Sequence, residues 1–334
     1  MDINTKKLKK NAYRITKHRN ITSSRIRVPG GYLTTEVLSM IQDIANKYGD
    51  GTLHITTRQG FEILNIPMEK VDEVNLKLQK LIEKLNINQY DEDRNKGYSA
   101  AGTRNIAACV GNKACPYACY ETTGFAKRIE KSIFPHDLHF KVALTGCPND
   151  CIKARTNDFG IFGMTKPVYD KDRCVTCEAC VNACRRKATE ALSMVNGKVK
   201  RDKSKCIGCG ECVLNCPTAA WTRDRKKYYR LAIMGRTGKK NPRLAEDFLI
   251  WADEESIIKV IMNTYKYVAE HIDGNSPGGK EHIGYIVDRT GFKEYKKWAL
   301  EDVKMSADTI ERENINWGGI HYNTNRSNSY SNYE

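Results

Sequence analysis

Eight cysteines fall in two copies of one spacing, Cys174-x2-Cys177-x2-Cys180-x3-Cys184 and Cys206-x2-Cys209-x2-Cys212-x3-Cys216, the second followed by Pro217. No other feature limits the fold of this chain so tightly. Three thiols within seven residues lie on one short loop and can hold three corners of an iron–sulfur cubane, whereas structural zinc takes two C-x2–4-C pairs set well apart. Of the thirteen cysteines, twelve lie in C-x5-C, C-x3-C or C-x2-C-x2-C-x3-C spacings, which suit metal ligation in a reducing compartment better than disulfides. The duplicated stretch reads as an inserted module, and a pair of clusters is an electron wire that must feed a site elsewhere.

At 334 residues the chain has room for two or three domains with sizeable cores. It lacks any run of 18 apolar residues, and its first twenty residues are basic with no apolar signal core, so the expectation is a cytoplasmic chain without a membrane span. Lys and Arg exceed Asp and Glu by 15, with nine basic residues against one acid in residues 1–27 and again in residues 223–243. Such a balance invites a nucleic-acid partner, a solvated surface or anionic cofactors that neutralise the excess.

Outside the module the pattern is mixed α and β. A short strand is expected around Arg25 to Val28 before a Pro29-Gly30-Gly31 turn, then a helix carrying Val37, Leu38, Ile41, Ile44, Ala45 and Tyr48 and ending at Gly49. Leu53 and Ile55, then Phe61 and Ile63, alternate as strands around T-T-R-Q-G, and Val71 to Leu85 make a second amphipathic helix. That order resembles a split βαβ, ferredoxin-like unit. Further on come a helix from Thr122 to Ile133, an alternating strand Phe140, Val142, Leu144, a strand at Tyr229, Leu231, Ile233, and a helix capped by Asp253. The final dozen residues are polar and low in complexity, and read as disordered.

The duplicated run resembles the bacterial two-cluster ferredoxins, in which the fourth cysteine of each run ligates the other cluster. That resemblance implies one set of Cys174, Cys177, Cys180 and Cys216, and a second of Cys206, Cys209, Cys212 and Cys184. Arg185 stands where the motif often has proline. The remaining cysteines leave two pairings open by spacing alone: Cys109-x5-Cys115 with Cys147-x3-Cys151, or Cys115-x3-Cys119 in competition.

T-G-C-P-N-D-C at residues 145–151, then Asp158-Phe159-Gly160-Ile161, preceded by a C-x5-C, resembles the signature of the sirohaem sulfite and nitrite reductases. The resemblance implies that Cys109, Cys115, Cys147 and Cys151 hold a third 4Fe-4S cluster, that Cys151 is also the axial ligand of sirohaem, and that Cys119 is not a ligand. Sulfite is a small oxyanion that needs cations and proton donors at the haem face. Arg58 in T-T-R-Q, Arg104 in T-R-N and Lys141 before the cluster signature match the family's cations, while His139 stands where a second lysine is usual. An imidazole titrates near neutrality, so His139 offers a proton and a weaker, pH-dependent charge. Thr57, Gln59, Asn105, Thr123, Asn149 and Arg236 lie in or near these motifs and are candidates to bind the sirohaem carboxylates.

The implied fold class is α+β: one half-repeat of the family, with a ferredoxin-like domain at 23–90, an α/β sirohaem and 4Fe-4S domain at 91–166 and 223–310, an inserted 2[4Fe-4S] ferredoxin domain at 167–222, a basic arm at 1–22 and a polar tail at 311–334. Because T-T-R-Q and the cluster signature occur once, the chain resembles anaerobic sulfite reductases, which implies an iron–sulfur and a flavin/NADH electron-donor subunit as partners and leaves a homo-oligomer open. About eight sirohaem carboxylates and roughly −2 per cubane would cancel the basic excess, so no nucleic acid is needed. There is no G-x-G-x-x-G or P-loop; Gly235 to Lys240 has the wrong spacing. The expectation is reduction of sulfite to sulfide. The alternatives are nitrite reduction, a non-catalytic polyferredoxin carrier, and a basic redox-sensing DNA-binding module.

Overall fold

The structure is a computed structural model that describes residues 5–238, 242–276 and 280–315; most of the polar tail, the first four residues of the basic arm and residues 239–241 of the second basic run lie outside it. The chain packs as two compact units, one within Met1–Ala108, Thr123–Val142 and Ile258–Asp302, the other within Cys109–Thr122, Ala143–Ile257 and Val303–Glu334.

The first unit begins with α1 (Thr5–Lys10), β1 (Tyr13–Ile15), β2 (Ile21–Ile26), α2 (Thr35–Tyr48), β3 (Leu53–Ile55), β4 (Phe61–Pro67) and α3 (Val71–Lys84). Thr34 caps α2 by accepting the Val37 N–H at 3.3 Å, and the helix stops at Gly49. Its 3.6-residue repeat places Val37, Ile41, Ile44, Ala45 and Tyr48 on one buried face, as α3 does with Val74, Leu78, Leu81 and Ile82. Both stripes share a core with Ile26, Val28, Ile63 and Ile66 from the sheet. Each fully buried aliphatic side chain contributes about 1.5–3 kcal/mol by leaving water.

The sheet order is β1-β2-β4-β3, antiparallel throughout. Inserting β4 between β2 and β3 is the split βαβ arrangement read from the sequence. The expected strand at Arg25 to Val28 is instead β2 at Ile21–Ile26, because the chain has begun to turn before Pro29 and Gly30, whose φ is 76°.

Downstream follow β5 (Ala107–Ala108), α4 (Thr122–Ile133), β6 (Val142–Thr145), β7 (Phe159–Met164), β8 (Pro167–Tyr169), α5 (Ala179–Lys187), β9 (Leu192–Val195), β10 (Lys198–Arg201), α6 (Glu211–Leu214), β11 (Trp221–Arg223), β12 (Tyr228–Ile233), β13 (Glu246–Ala252), α7 (Glu254–His271), α8 (Ile283–Thr290), α9 (Phe292–Ala299) and β14 (Ile310–Glu311). In the first unit, Phe140 stacks on Tyr265 of α7 with ring centroids 3.8 Å apart, and Tyr265 OH lies 2.8 Å from Thr103 Oγ1. Asp253 caps α7, its carboxylate accepting the Ser256 N–H at 2.8 Å.

The second unit is built on β14-β13-β12-β7-β6. All four residues of β6 and all six of β7 are buried, so the alternation expected at Phe140, Val142 and Leu144 does not hold: both faces of this strand are covered. β8 and β11 pair antiparallel, with Pro167 opposite Arg223 and Tyr169 opposite Trp221, so the cysteine-rich stretch leaves and returns at one point. Within it, β9 and β10 form a hairpin over Asn196 and Gly197, both at positive φ as a tight turn requires.

Candidate functional site

In the second unit, Cys109, Cys115, Cys147 and Cys151 are set by two loops. Cys109 N–H donates to Leu144 O at 3.0 Å, and its sulfur accepts the Gly146 N–H at 3.0 Å. Cys119 N–H in turn reaches Gly146 O at 2.7 Å, so the C-x5-C segment and the T-G-C-P-N-D-C turn are laced through one glycine. Gly111, at φ +61°, admits the close approach of Thr122, whose hydroxyl bonds Cys109 O.

Burial pushes the Cys147 thiol up, and the charges of Cys115, Cys151 and Cys109 push the same way. The other three sulfurs are thus all within electrostatic reach of Cys147. Among the described residues no three such donors gather tightly enough for a single metal ion, and no cysteine is in a disulfide. A cubane holds its thiolates further apart than one zinc ion does, so this donor set fits a cluster better than zinc. Cys147 is buried and Cys151 exposed. Cys119 lies within electrostatic reach of Cys147. Burial pushes its thiol up to about 12 despite Arg223 nearby, as for an inert cysteine.

The duplicated cysteines form a small core of their own: Cys180, Cys184 and Cys212 are buried with Ala191, Leu192, Val199 and Trp221, and Cys174, Cys206 and Cys216 pack against them. The sequence repeat is also a conformational repeat. Thr176 and Gly208, then Glu178 and Gly210, occupy matching positions and all have φ between 54° and 77°. Cys209 lies within electrostatic reach of Cys206 and Cys184, and Cys180 of Cys216. Cys184, Cys206, Cys209 and Cys212 line one recess of about 350 Å³, its open mouth included. Two fourfold sets with the fourth sulfur exchanged between runs suit this arrangement. Cys177 is exposed. Burial raises the Cys216 thiol, but donors at Trp221, Thr218 and Ala220 outweigh it and the net direction is down.

In the first unit, Arg58 donates from Nε to Asn105 O at 2.9 Å and from Nη2 to Val142 O. Gln59, at φ 60°, exchanges two hydrogen bonds with the backbone of Ala108, at 2.8 and 2.7 Å. Asn105 likewise brackets Val28, accepting its N–H and donating to its C=O, each at 3.0 Å, and also donates to Arg58 O at 2.7 Å. The amides expected to reach carboxylates are thus engaged by main chain, and they fix the turn that carries Arg58.

Burial holds the Arg104 guanidinium below its ordinary value, with Arg25, Arg27 and Arg14 adding to the effect over Asp137. Concentrated positive charge of this kind favours an anion. Besides Asp137, Glu62 and Glu130 sit within it: Glu62 is bonded by Arg14 at 2.9 Å and Arg25 at 2.7 Å, and Glu130 is gripped by Arg27 Nε and Nη2 at 2.9 Å each. His139 is half-buried, its ring 4.4 Å from that of His282. Lys141, also half-buried, directly precedes β6, and buried Thr123 lies under Gly30. Thr57 is exposed.

Asn149 and Arg236 belong to the second unit. Asn149 is exposed with its N–H toward Cys147, and Arg236 is 2% exposed and bridges Arg243 through main chain. The sequence marks Gly146 as part of T-G-C-P-N-D-C, Arg223 as the first cation of a basic run and Arg27 as the last of another, but it does not mark the contacts these residues make, nor Trp221 or the partner role of Glu130.

Residues 99–306 match the model of the nitrite and sulphite reductase 4Fe-4S domain, and residues 16–81 that of the nitrite/sulfite reductase ferredoxin-like half domain. The chain is 40% identical over 314 residues to a subunit of the anaerobic sulfite reductase of Salmonella typhimurium, covering 92% of each protein. It is 27% identical over 285 residues to the coenzyme F420-dependent sulfite reductase of Methanocaldococcus jannaschii, covering 84% of this chain and 42% of that protein. Among solved structures, dissimilatory sulfite reductase I superposes with a TM-score of 0.63 at 16% identity, over 93% of this chain and 78% of that one.

Proposed function

The chain belongs to the nitrite and sulphite reductase family, and from that premise we propose that it is the sirohaem-bearing catalytic subunit of a sulfite reductase, reducing sulfite to sulfide with about six electrons relayed through three 4Fe-4S clusters. One observation carries the reading: the four thiols of Cys109, Cys115, Cys147 and Cys151 converge in the same compact unit as a duplicated eight-cysteine array. Cys151 would hold sirohaem as its axial ligand while Cys109, Cys115, Cys147 and Cys151 would hold the neighbouring cluster, and together these groups would supply the electrons for the reduction.

The chain's own residues do the rest. Cys109, Cys115 and Cys147 hold the cluster, and Gly146 N–H bonds the Cys109 sulfur, stabilising its thiolate form. Arg58, Arg104 and Lys141 bind the oxyanion, and His139 donates protons as oxygens leave as water. Arg236, Thr123, Asn149 and Thr57 serve the carboxylates of the tetrapyrrole, while Gln59 and Asn105 set the Arg58 turn. The module at 167–222 receives electrons in a reducing cytoplasm from an iron–sulfur subunit, itself fed by a flavin and NADH subunit. Among the described residues no helix is long and apolar enough to cross a membrane.

The test is the optical spectrum of the anaerobically purified protein before and after sulfite, with Cys151→Ser beside it. A haem band that shifts with sulfite, and is lost in Cys151→Ser while iron is retained, supports the assignment. Iron–sulfur absorption alone, in cells making sirohaem, would identify an electron carrier instead. A kcat/KM for nitrite well above that for sulfite would make nitrite the substrate.

A further inference from the structure

The two cluster loops of the module are alike in backbone and opposite in surroundings. In the first, Val175 is 60% exposed, and Thr176, Cys177 and Glu178 face solvent. In the second, Gly208, Gly210 and Glu211 are buried, while the third cysteine of each run, Cys180 and Cys212, is buried in both. A Cβ on Gly208 would stand 2.9 Å from the Trp251 ring and 3.0 Å from Met164 Cβ, and Gly208 O accepts the Thr165 N–H at 2.9 Å. The glycines at 208 and 210, where the first copy has Thr176 and Glu178, are therefore what lets the second loop lie flat against β7.

One cation, Arg223, lies between that loop and the segment of the other cysteine set. Arg223 donates from Nη1 to Ala118 O and from Nη2 to Pro116 O at 2.8 Å and Tyr117 O at 3.4 Å, so three carbonyls of the segment after Cys115 converge on one guanidinium. The same Nη2 lies 3.7 Å from the Cβ position of Gly210, between Cys209 and Cys212. Cys119 nearby is within electrostatic reach of both Cys147 and Cys209.

We propose that electrons enter the module at the exposed loop and leave through the buried one, and that Arg223 is the positioning residue that holds the Cys206–Cys212 loop against the Cys115–Cys119 segment. This deepens the function proposed above and rests on it. Each transfer moves one electron from a reduced cluster of the second loop to an oxidised cluster of the Cys109 set, with no bond or proton changed. Tunnelling falls exponentially with separation, so a fixed contact sets the rate. A cation placed between two anionic clusters also lowers their mutual repulsion.

Full-length protein loaded with iron, sulfide and sirohaem is compared with Arg223→Ala, Arg223→Lys and Cys177→Ser. Iron and sulfide are assayed, paramagnetic resonance is recorded after dithionite reduction, and arrival of electrons at the Cys109 set is followed by rapid freezing. Arg223→Ala is expected to keep its metal, lose the magnetic interaction between the Cys109 set and a neighbouring cluster, and slow electron arrival about tenfold. Arg223→Lys, which retains charge but cannot bridge three carbonyls, should fall between and serves if the alanine variant does not fold. Cys177→Ser should change the exposed-loop signal and leave that interaction intact. Unchanged coupling and rate in both Arg223 variants, or coupling lost in Cys177→Ser but kept in Arg223→Ala, overturns the proposal. A parent protein lacking three clusters overturns the function itself.

Discussion

Gly146 has room for a hydrogen and nothing larger. A Cβ there would stand 2.6 Å from Ala118 Cβ, well inside contact, and 3.5 Å from the Cys109 sulfur. The glycine in T-G-C-P is thus required by the loop that closes over it, and the same residue donates its N–H to Cys109 and accepts from Cys119. Gly146→Ala is expected to cost about 1–3 kcal/mol by overpacking and to lower iron content, because the two halves of the donor set separate. Thermal unfolding with iron assay checks it; a variant with full iron and unchanged Tm would show that the loop relaxes freely. Gln59 makes the complementary case. Its two bonds to Ala108 contribute about 1 kcal/mol each, so Gln59→Leu should lower stability and sulfite affinity together, read by unfolding and KM.

Between elements, one buried ion pair ties the chain just after β2 to α4. Arg27 and Glu130 are 5% and 3% exposed, and Arg27 also donates to Thr103 O and stacks on Phe134 with its guanidinium carbon 4.0 Å from the ring centroid. Arg27→Met is expected to cost about 3–5 kcal/mol, since it strands a buried carboxylate. Burial already lifts the Glu130 carboxyl above its ordinary value against the pull of Arg27. A carboxyl raised on folding is penalised at high pH and relieved as pH falls through its folded value, so the loss in Arg27→Met should shrink toward acid pH, and the double variant with Glu130→Gln should recover part of it. Urea unfolding at two pH values checks both. This pair was not legible in the sequence, whereas α2 and α3 were, because a 3.6-residue stripe over a half-exposed helix leaves a periodic trace. β6 was legible as a strand from Phe140, Val142 and Leu144, but its burial on both faces was not, because Ala143 and Thr145 at the alternate positions are covered as well. Spacing announced the cysteines, but contacts made by main chain, such as those of Gln59, Asn105 and Arg223, leave no pattern in side-chain identity.

At the scale of the whole molecule, the two kinds of core predict different fates without metal. The sheet and helices of residues 21–84 bury a continuous set of aliphatic side chains, Ile26, Ile41, Ile44, Ile63, Ile66, Val74, Leu78 and Leu81 among them. The module's cluster buries Leu192, Val199 and Trp221, and the rest of it is six thiols, two alanines and the partly buried Tyr169, Val181, Met194 and Val213. So small a core does not offset the entropy of ordering the stretch, and ligand binding must supply the difference as folding free energy. Clusters that draw Cys184 and Cys216 across the duplication would close loops that apolar contacts alone leave open. Chelator-treated protein is therefore expected to lose amide-exchange protection first and most completely at residues 167–222, to loosen next at Cys109–Cys119 and Cys147–Cys151 as those thiols lose their common ligand, and to keep protection in α2, α3 and β4. Hydrogen exchange read by mass spectrometry before and after chelation checks the order. Uniform loss across the chain would mean that the units fold as one cooperative body, and retained protection in the module would mean that Trp221 and its neighbours suffice without metal.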